Sequence, residues 1–192
     1  MSSHAAPSPE APARVTFGPV FEGLFREYRE TFSDRTIQRL VEAGIDPRGK
    51  LQAGYPTPVW YAAIRILAEE HHAHLAYPDG VREVGRAFMR GYFDTPLGGA
   101  MLAVLRILGP LRSLKRMSRN FRTGNNFSET WTYEDAPGDI RLEVNDCIAD
   151  RPEFIQGLIG VGLEKVGAKD SSVEVLSVHD NGHAFYRVRW TP

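Results

Sequence analysis

Apolar positions recur with two different periods along this chain, and the change from one to the other divides it. Between Phe17 and Phe32, the residues Phe21, Leu24, Phe25, Tyr28 and Phe32 fall at helical spacing, with Arg26, Glu27, Arg29 and Glu30 opposite. Gly18-Pro19 near the start leaves room for a short extended piece. A second helix is predicted after Ser33, whose hydroxyl can take up a first-turn amide. Ile37, Leu40 and Val41 supply its stripe and Gly44 its stop. Lys50 to Pro56 reads as loop. Thr57-Pro58 and Thr95-Pro96 each combine an N-cap with a proline whose fixed φ suits the first helical position. The first opens a helix with Trp60, Ile64, Leu67 and His71 on one face, and Val81, Val84, Phe88 and Tyr92 mark the next. The second opens Leu97 to Leu108, apolar nearly all round, which predicts a helix central to the domain. Gly109-Pro110 breaks it.

After Asn125-Asn126 the period becomes two. Phe127, Trp131 and Tyr133 alternate with Ser128, Thr130 and Thr132, and Ile140, Leu142 and Val144 with Arg141, Glu143 and Asn145. Ala136 to Asp139 has turn chemistry between them. A helix is predicted from Asp150 to about Val166, then a second hairpin, Val173–His179 and His183–Trp190, closed by Asp180-Asn181-Gly182. The reading is one α+β domain over 15–192: an N-terminal helical bundle (15–122) followed by a ββαββ antiparallel sheet unit (127–190). Residues 1–14, rich in Ala, Pro and Ser, are expected to form a flexible tail. Gly157, Gly160 and Gly162 sit inside the last helix at about 1 kcal/mol each relative to Ala. Two reasons would account for them: close approach to a neighbouring backbone, or room left for a ligand.

Composition narrows the function classes. A length of 192 residues supports a substantial core, and a net charge of -1 gives no general attraction to nucleic acid or anionic membrane. No recognised DNA-reading motif is present, so no nucleic acid partner is expected. The single cysteine, Cys147, excludes an intrachain disulfide. The N-terminus lacks a secretory pattern and Leu97–Leu108 is interrupted by Arg106, so no membrane span and a cytoplasmic location are expected.

Chemistry-bearing clusters are few. The sequence has no nucleophile elbow, no phosphate-binding loop and no His-Glu-x-x-His, so no catalytic residues are assigned and an enzyme ranks last. No metal site is assigned; His71 and His74, three apart near a helix end, are the weak candidates, and they lack a visible third ligand. Arg112, Arg116, Arg119 and Arg122, in a stretch without acids, lead into a donor-rich loop with Asn125 and Asn126. Together these six are candidate anion-binding residues, while the acids from Glu134 onward offer an internal or intermolecular counterpart. Phe88, Tyr92, Trp131, Tyr133 and Phe154 are candidate lining residues of an apolar pocket between helices and sheet.

Several segments in order resemble a family of myxobacterial paralogues labelled a domain of unknown function (number 2378). They are Phe17-Gly18-Pro19-Val20-Phe21-Glu22-Gly23-Leu24, Gly54-Tyr55-Pro56 with Trp60, Val84-Gly85-Arg86, Gly91-Tyr92-Phe93-Asp94-Thr95 and Leu108-Gly109-Pro110. Asn120 to Asn126, Phe154-Ile155-Gln156-Gly157 and Tyr186-Arg187-Val188-Arg189-Trp190 continue the likeness. In element order, helices followed by ββαββ, the chain also resembles 4-vinyl-reductase-type domains, Bet3-like subunits and haem nitric-oxide sensors. That likeness implies a sensor or adaptor holding an apolar ligand between helices and sheet. The haem sensors' proximal histidine has no match among the histidines here, so no cofactor is expected. The expectation is a non-catalytic protein that binds or senses an apolar small molecule in intracellular signalling. The alternative is an interaction or scaffold protein using its charged zones, as a homodimer or with another protein.

Overall fold

The computed structural model describes residues 13–145 and 152–192. β1 (Val15–Phe17) pairs antiparallel with β2 (Gly54–Pro56), a small sheet where sequence pattern showed only loop on the β2 side. α1 (Gly18–Arg26) follows β1 directly, and a 3-10 turn at Arg29–Thr31 replaces the last turn of the predicted first helix. α2 (Asp34–Glu42) is capped by Ser33, whose hydroxyl accepts from the Thr36 amide at 3.1 Å, and Gly44 turns the chain at φ 99°. α3 (Thr57–His71) starts one residue earlier than expected. Thr57 lies inside the helix without capping it, and its buried hydroxyl has no partner among the described residues.

α4 (Tyr77–Phe93) is the central helix. It packs against α1, α3, α5 (Pro96–Lys115) and α7 (Pro152–Lys165). Two of these contacts depend on glycine. A Cβ on Gly85 would stand 2.1 Å from the Phe154 carbonyl oxygen of α7, and one on Gly157 of α7 would stand 2.1 Å from the Arg82 carbonyl oxygen of α4. On the other side, Gly91 approaches Gly23 of α1 in the same way, at 2.3 Å from its carbonyl oxygen.

α5 is not the central helix that its composition predicts. Gly98, Leu102, Leu105 and Leu114 are buried, but Leu97, Val104 and Ile107 are exposed, Ile107 to 86%. Its apolar run therefore covers both a packed side and an outer side. Among the described residues α5 alone is long and apolar enough to meet the length and composition of a membrane-crossing helix. The Thr95 hydroxyl caps it at 3.0 Å from the Gly98 amide, and Gly109 (φ 72°) breaks it before Pro110, as expected. α6 (Met117–Phe121) is a single short turn after it.

The second half is a four-stranded antiparallel sheet in the order β3-β4-β6-β5, with β3 Thr130–Ala136, β4 Asp139–Val144, β5 Lys169–Val178 and β6 Ala184–Thr191. Ile140, Leu142 and Val144 of β4 and Ala184, Tyr186 and Val188 of β6 are wholly buried on its inner face. α7 is joined to this sheet: the Tyr186 hydroxyl donates to the Pro152 carbonyl at 3.1 Å and Gln156 donates to the Val173 carbonyl at 2.7 Å. The layers thus run sheet, α7, α4, then α1 and α3, and the fold class is α+β as the two periods predict.

The glycine contacts carry a prediction. Gly157→Ala should destabilise the fold by about 2 kcal/mol through overpacking, although alanine is the better helix former. Gly162→Ala, where a Cβ would meet nothing within 4 Å, should instead raise stability by up to about 1 kcal/mol. Urea denaturation of the two variants beside the parent checks the opposite signs.

Candidate functional site

A cavity lies where α4, α5, α6 and α7 meet β1 and the loop that precedes β3. Its core measures about 140 Å³, within a concavity of about 1060 Å³ that includes its mouth. Most of the wall is apolar. Phe88 and Tyr92 come from α4, Met101 and Leu105 from α5, Met117 from α6, and Phe154, Leu158 and Leu163 from α7. Trp60 closes the inner end, edge-on to Phe88 at 5.4 Å and to Phe154 at 5.7 Å between ring centroids. Such edge-to-face contacts favour a fixed aromatic wall. Three of the four methionines, Met89, Met101 and Met117, also line it, and their unbranched side chains adjust easily to an occupant.

The three α7 glycines separate by role. Gly157 is the point of contact with α4, and a Cβ on Gly160 would lie an ordinary 3.7 Å from the Arg86 guanidinium. Gly162 lines the cavity and would present a Cβ to open space. Only here does glycine leave room.

One wall is polar and uncharged. Thr16 of β1 pairs with Asn125 as an isolated bridge, and Phe17 donates to the Gly124 carbonyl at 2.8 Å. Asn125 turns the loop, its side-chain oxygen accepting from the Phe127 and Ser128 amides at 3.0 and 2.7 Å. Asn126 accepts from the Val15 amide and donates to the Ala13 carbonyl, both at 2.9 Å. The Tyr92 hydroxyl lies 3.2 Å from that of Thr123. Thr16, Asn120, Thr123 and Ser128 all line the cavity on this side.

Of the five aromatic lining candidates, the structure brings Phe88, Tyr92 and Phe154 together around the cavity. Trp131 and Tyr133 are a correction. They are 39% and 44% exposed on the outer face of the sheet, opposite Glu143 and Arg141. The cause is a β-bulge between Glu134 and Ala136. The pairing set by the turn, Ala136 with Asp139, would carry Tyr133 to Leu142 and Trp131 to Val144; one extra residue moves both side chains to the other face. Trp131 stacks on His183 instead, and the Tyr133 hydroxyl donates to Glu143.

The donor-rich loop needs a second correction. Asn126 holds β1 through both its side-chain oxygen and its side-chain amide, so that amide is already engaged, while Asn125 spends its side-chain oxygen on folding the loop. Arg122 pairs with Glu129 at 2.8 Å and Lys115 with Glu134 at 2.9 Å, so the basic and acidic stretches partly neutralise each other within the chain. Arg112, Arg116 and Arg119 have no carboxylate partner among the described residues, and none of them lines the cavity.

His71 and His74 do not assemble a metal centre: among the described residues no three histidine, cysteine or acidic side chains are grouped to hold an ion. Glu70 is bound by Arg39 and Arg35. His71 packs against the rings of Tyr28 and Phe32, and His72 Nε2 lies 2.9 Å from the Tyr28 hydroxyl. Burial pushes the Tyr28 phenol up and both histidines down from their ordinary values. Cys147 and the start of the predicted last helix, Asp150 and Arg151, lie outside the described residues.

Helices over a ββαββ sheet with a cavity between them give the chain the fold seen in H-NOX structures. The chain matches an iron(II) unliganded H-NOX variant from K. algicida with a TM-score of 0.67 at 12% identity, covering 92% of this chain and 97% of that one. A variant of Tt H-NOX matches with a TM-score of 0.68 at 13% identity, covering 92% and 95%, and a Cs H-NOX variant with 0.67 at 14%, covering 92% and 97%. By sequence the chain belongs to the family described as Protein of unknown function (DUF2378), which it matches over residues 14–191. No curated protein matches it.

The histidine cluster predicts an acid-sensitive fold. Because burial lowers the folded values of His71 and His72, the unfolded chain binds more protons as pH falls below the ordinary value of 6.5. Stability should be greatest above that value and be lost as pH falls towards and through the lower folded values. Thermal melts from pH 8 to pH 5 should show this slope, and a double variant, His71→Gln with His72→Gln, should flatten it.

Proposed function

We propose that this chain is a non-catalytic small-molecule binding or sensing domain whose occupant sits in the cavity between α4, α5, α7 and β1. The observation that carries the reading is Gly162. A helix-weakening residue stands at the cavity wall with nothing within 4 Å of its missing Cβ, so its smallness serves the space rather than the packing. The cavity core of about 140 Å³ is of the size that takes a single ring or a short chain. A small occupant buried against such a wall is held mainly by the hydrophobic effect.

Similar structures concern haem and its distortion in H-NOX proteins, and haem makes specific demands on a cavity wall. Among the described residues lining the cavity there is no histidine or cysteine to hold iron, and no lysine or arginine to pair with propionates. Tyr92 and the three methionines offer the nearest ligand types, and the Tyr92 hydroxyl is hydrogen-bonded to Thr123. These residues do not fit haem. The fold is kept with a different wall chemistry, in line with function residing in the site and not in the fold. The charged zones favour an interaction role less, since two of their basic groups are paired internally.

Methyl NMR of the chain carrying ¹³C-methyl methionine reads the site directly, because Met89, Met101 and Met117 all line it. Toluene should shift those three methyls saturably in the parent chain. In Gly162→Leu, whose leucine fills the open space, the shifts should fall at least tenfold in affinity while thermal stability is kept or raised. Methyls in the parent left unshifted by toluene and by its hydroxylated and carboxylated analogues alike would end the reading. Added haem should give no shifted Soret band.

A further inference from the structure

The polar wall of the cavity restricts what can occupy it. Thr16 is 2% exposed, lines the cavity, and its hydroxyl is buried with no hydrogen-bond partner among the described residues. A buried hydroxyl left unpaired is unfavourable, and native folds rarely keep one without a reason. β1 has no sequence need for it, since Val15 and Phe17 on either side are apolar. Ser128, 6% exposed, and Asn120 stand on the same wall, and their side chains likewise make no hydrogen bond within the described residues. Thr57, another buried unpartnered hydroxyl, does not line the cavity.

Charge is missing from the same wall. No aspartate, glutamate, lysine, arginine or histidine is among the described lining residues. Arg14 holds its guanidinium 5.3 Å above the Phe127 ring, but it is exposed and outside the lining. A carboxylate or phosphate entering this cavity would lose its hydration without gaining a counter-charge, which is far costlier than burying a hydroxyl that finds a partner. An occupant without any polar atom would leave Thr16 unpaired.

We propose that the cavity takes an uncharged amphiphile: a compact apolar body packed against Trp60, Phe88 and Phe154, with one hydroxyl or carbonyl group bonded to Thr16 and its neighbours Ser128 and Asn120. This rests on the reading of the cavity as a binding site and adds the chemical class. Thr16 can donate to a carbonyl or accept from a hydroxyl, so both heads meet the same wall. The fixed aromatic end and the movable methionines select against charge and bulk while tolerating variation in the body of the ligand.

Three probes of matched ring and different head test this on the full chain: toluene, benzyl alcohol and benzoate, titrated at pH 8 with the methionine methyls as readout. Benzyl alcohol should bind, and benzoate should bind at least tenfold more weakly. Thr16→Val, close in shape, should weaken benzyl alcohol by about tenfold, the scale of one hydrogen bond, and leave toluene within about twofold. Because it removes an unpaired hydroxyl, this variant should melt no lower than the parent. Ser128→Ala provides a second, smaller loss confined to the alcohol. Benzoate binding as tightly as benzyl alcohol, or equal effects of Thr16→Val on alcohol and hydrocarbon, would overturn the proposal while leaving the cavity a binding site. If none of the three probes moves the methyls, the binding site and the ligand class fall together.

Discussion

The backbones of α4 and α7 touch, and the rest of the molecule is arranged around that contact. With Gly85 and Gly157 each set against a carbonyl oxygen of the opposite helix, no side chain separates the two. α7 is at the same time bound to the sheet through Tyr186 and Gln156, so the sheet and the helical half are held at one fixed spacing. Beyond Gly157 the two helices no longer touch through glycine, and side chains from α5 and β1 complete the surroundings. The cavity occupies that space. Tight contact at one end of α7 and open space along its next turns are two parts of a single geometry.

Much of this arrangement could be read from residue pattern. The caps at Ser33 and Thr95, the stops at Gly44 and Gly109, and both hairpin turns follow from local stereochemistry, which acts within a few residues. What failed depends on distant partners. Alternation along β3 separates Trp131 and Tyr133 from Thr130 and Thr132 but does not say which set faces inward. A single bulge at Asp135 decided it, and Asp135 now bonds Arg141 across the hairpin. α5 looked central because apolar residues surround it, yet part of that surface is left open in the folded chain. Gly157 and Gly162 look alike in sequence, and only the position of α4 gives them opposite roles. The Asn125-Asn126 pair carried a visible signal of local turn bonding, as asparagine does. Its long-range use in holding β1 had no local trace.

Likeness to H-NOX structures at 12 to 14% identity carries the fold and not the chemistry of the site. Side-chain identity over a few wall positions decides whether a cavity can hold iron and propionates or only neutral matter. Among the described residues, His71 and His72 stand against Tyr28 and His183 in the second hairpin, while Arg90 and Arg187 are held in pairs with Glu27 and Asp139. Among the described residues none of them lines the cavity, which leaves it a low-dielectric lining broken by hydroxyls and amides.

The polar wall also joins distant parts of the chain. Asn126 reaches Val15 and Ala13 across 111 and 113 residues of chain, so this side of the cavity is shut by a contact between segments remote in sequence. Closing a contact of that kind orders a long stretch of chain, at an entropic cost that grows slowly with its length. The chamber is complete only where β1 lies against the loop before β3. A molecule held there would act as a stitch between the beginning of the domain and its middle, binding the finished fold and not its precursors. Its effect on stability would then be felt by the whole chain at once.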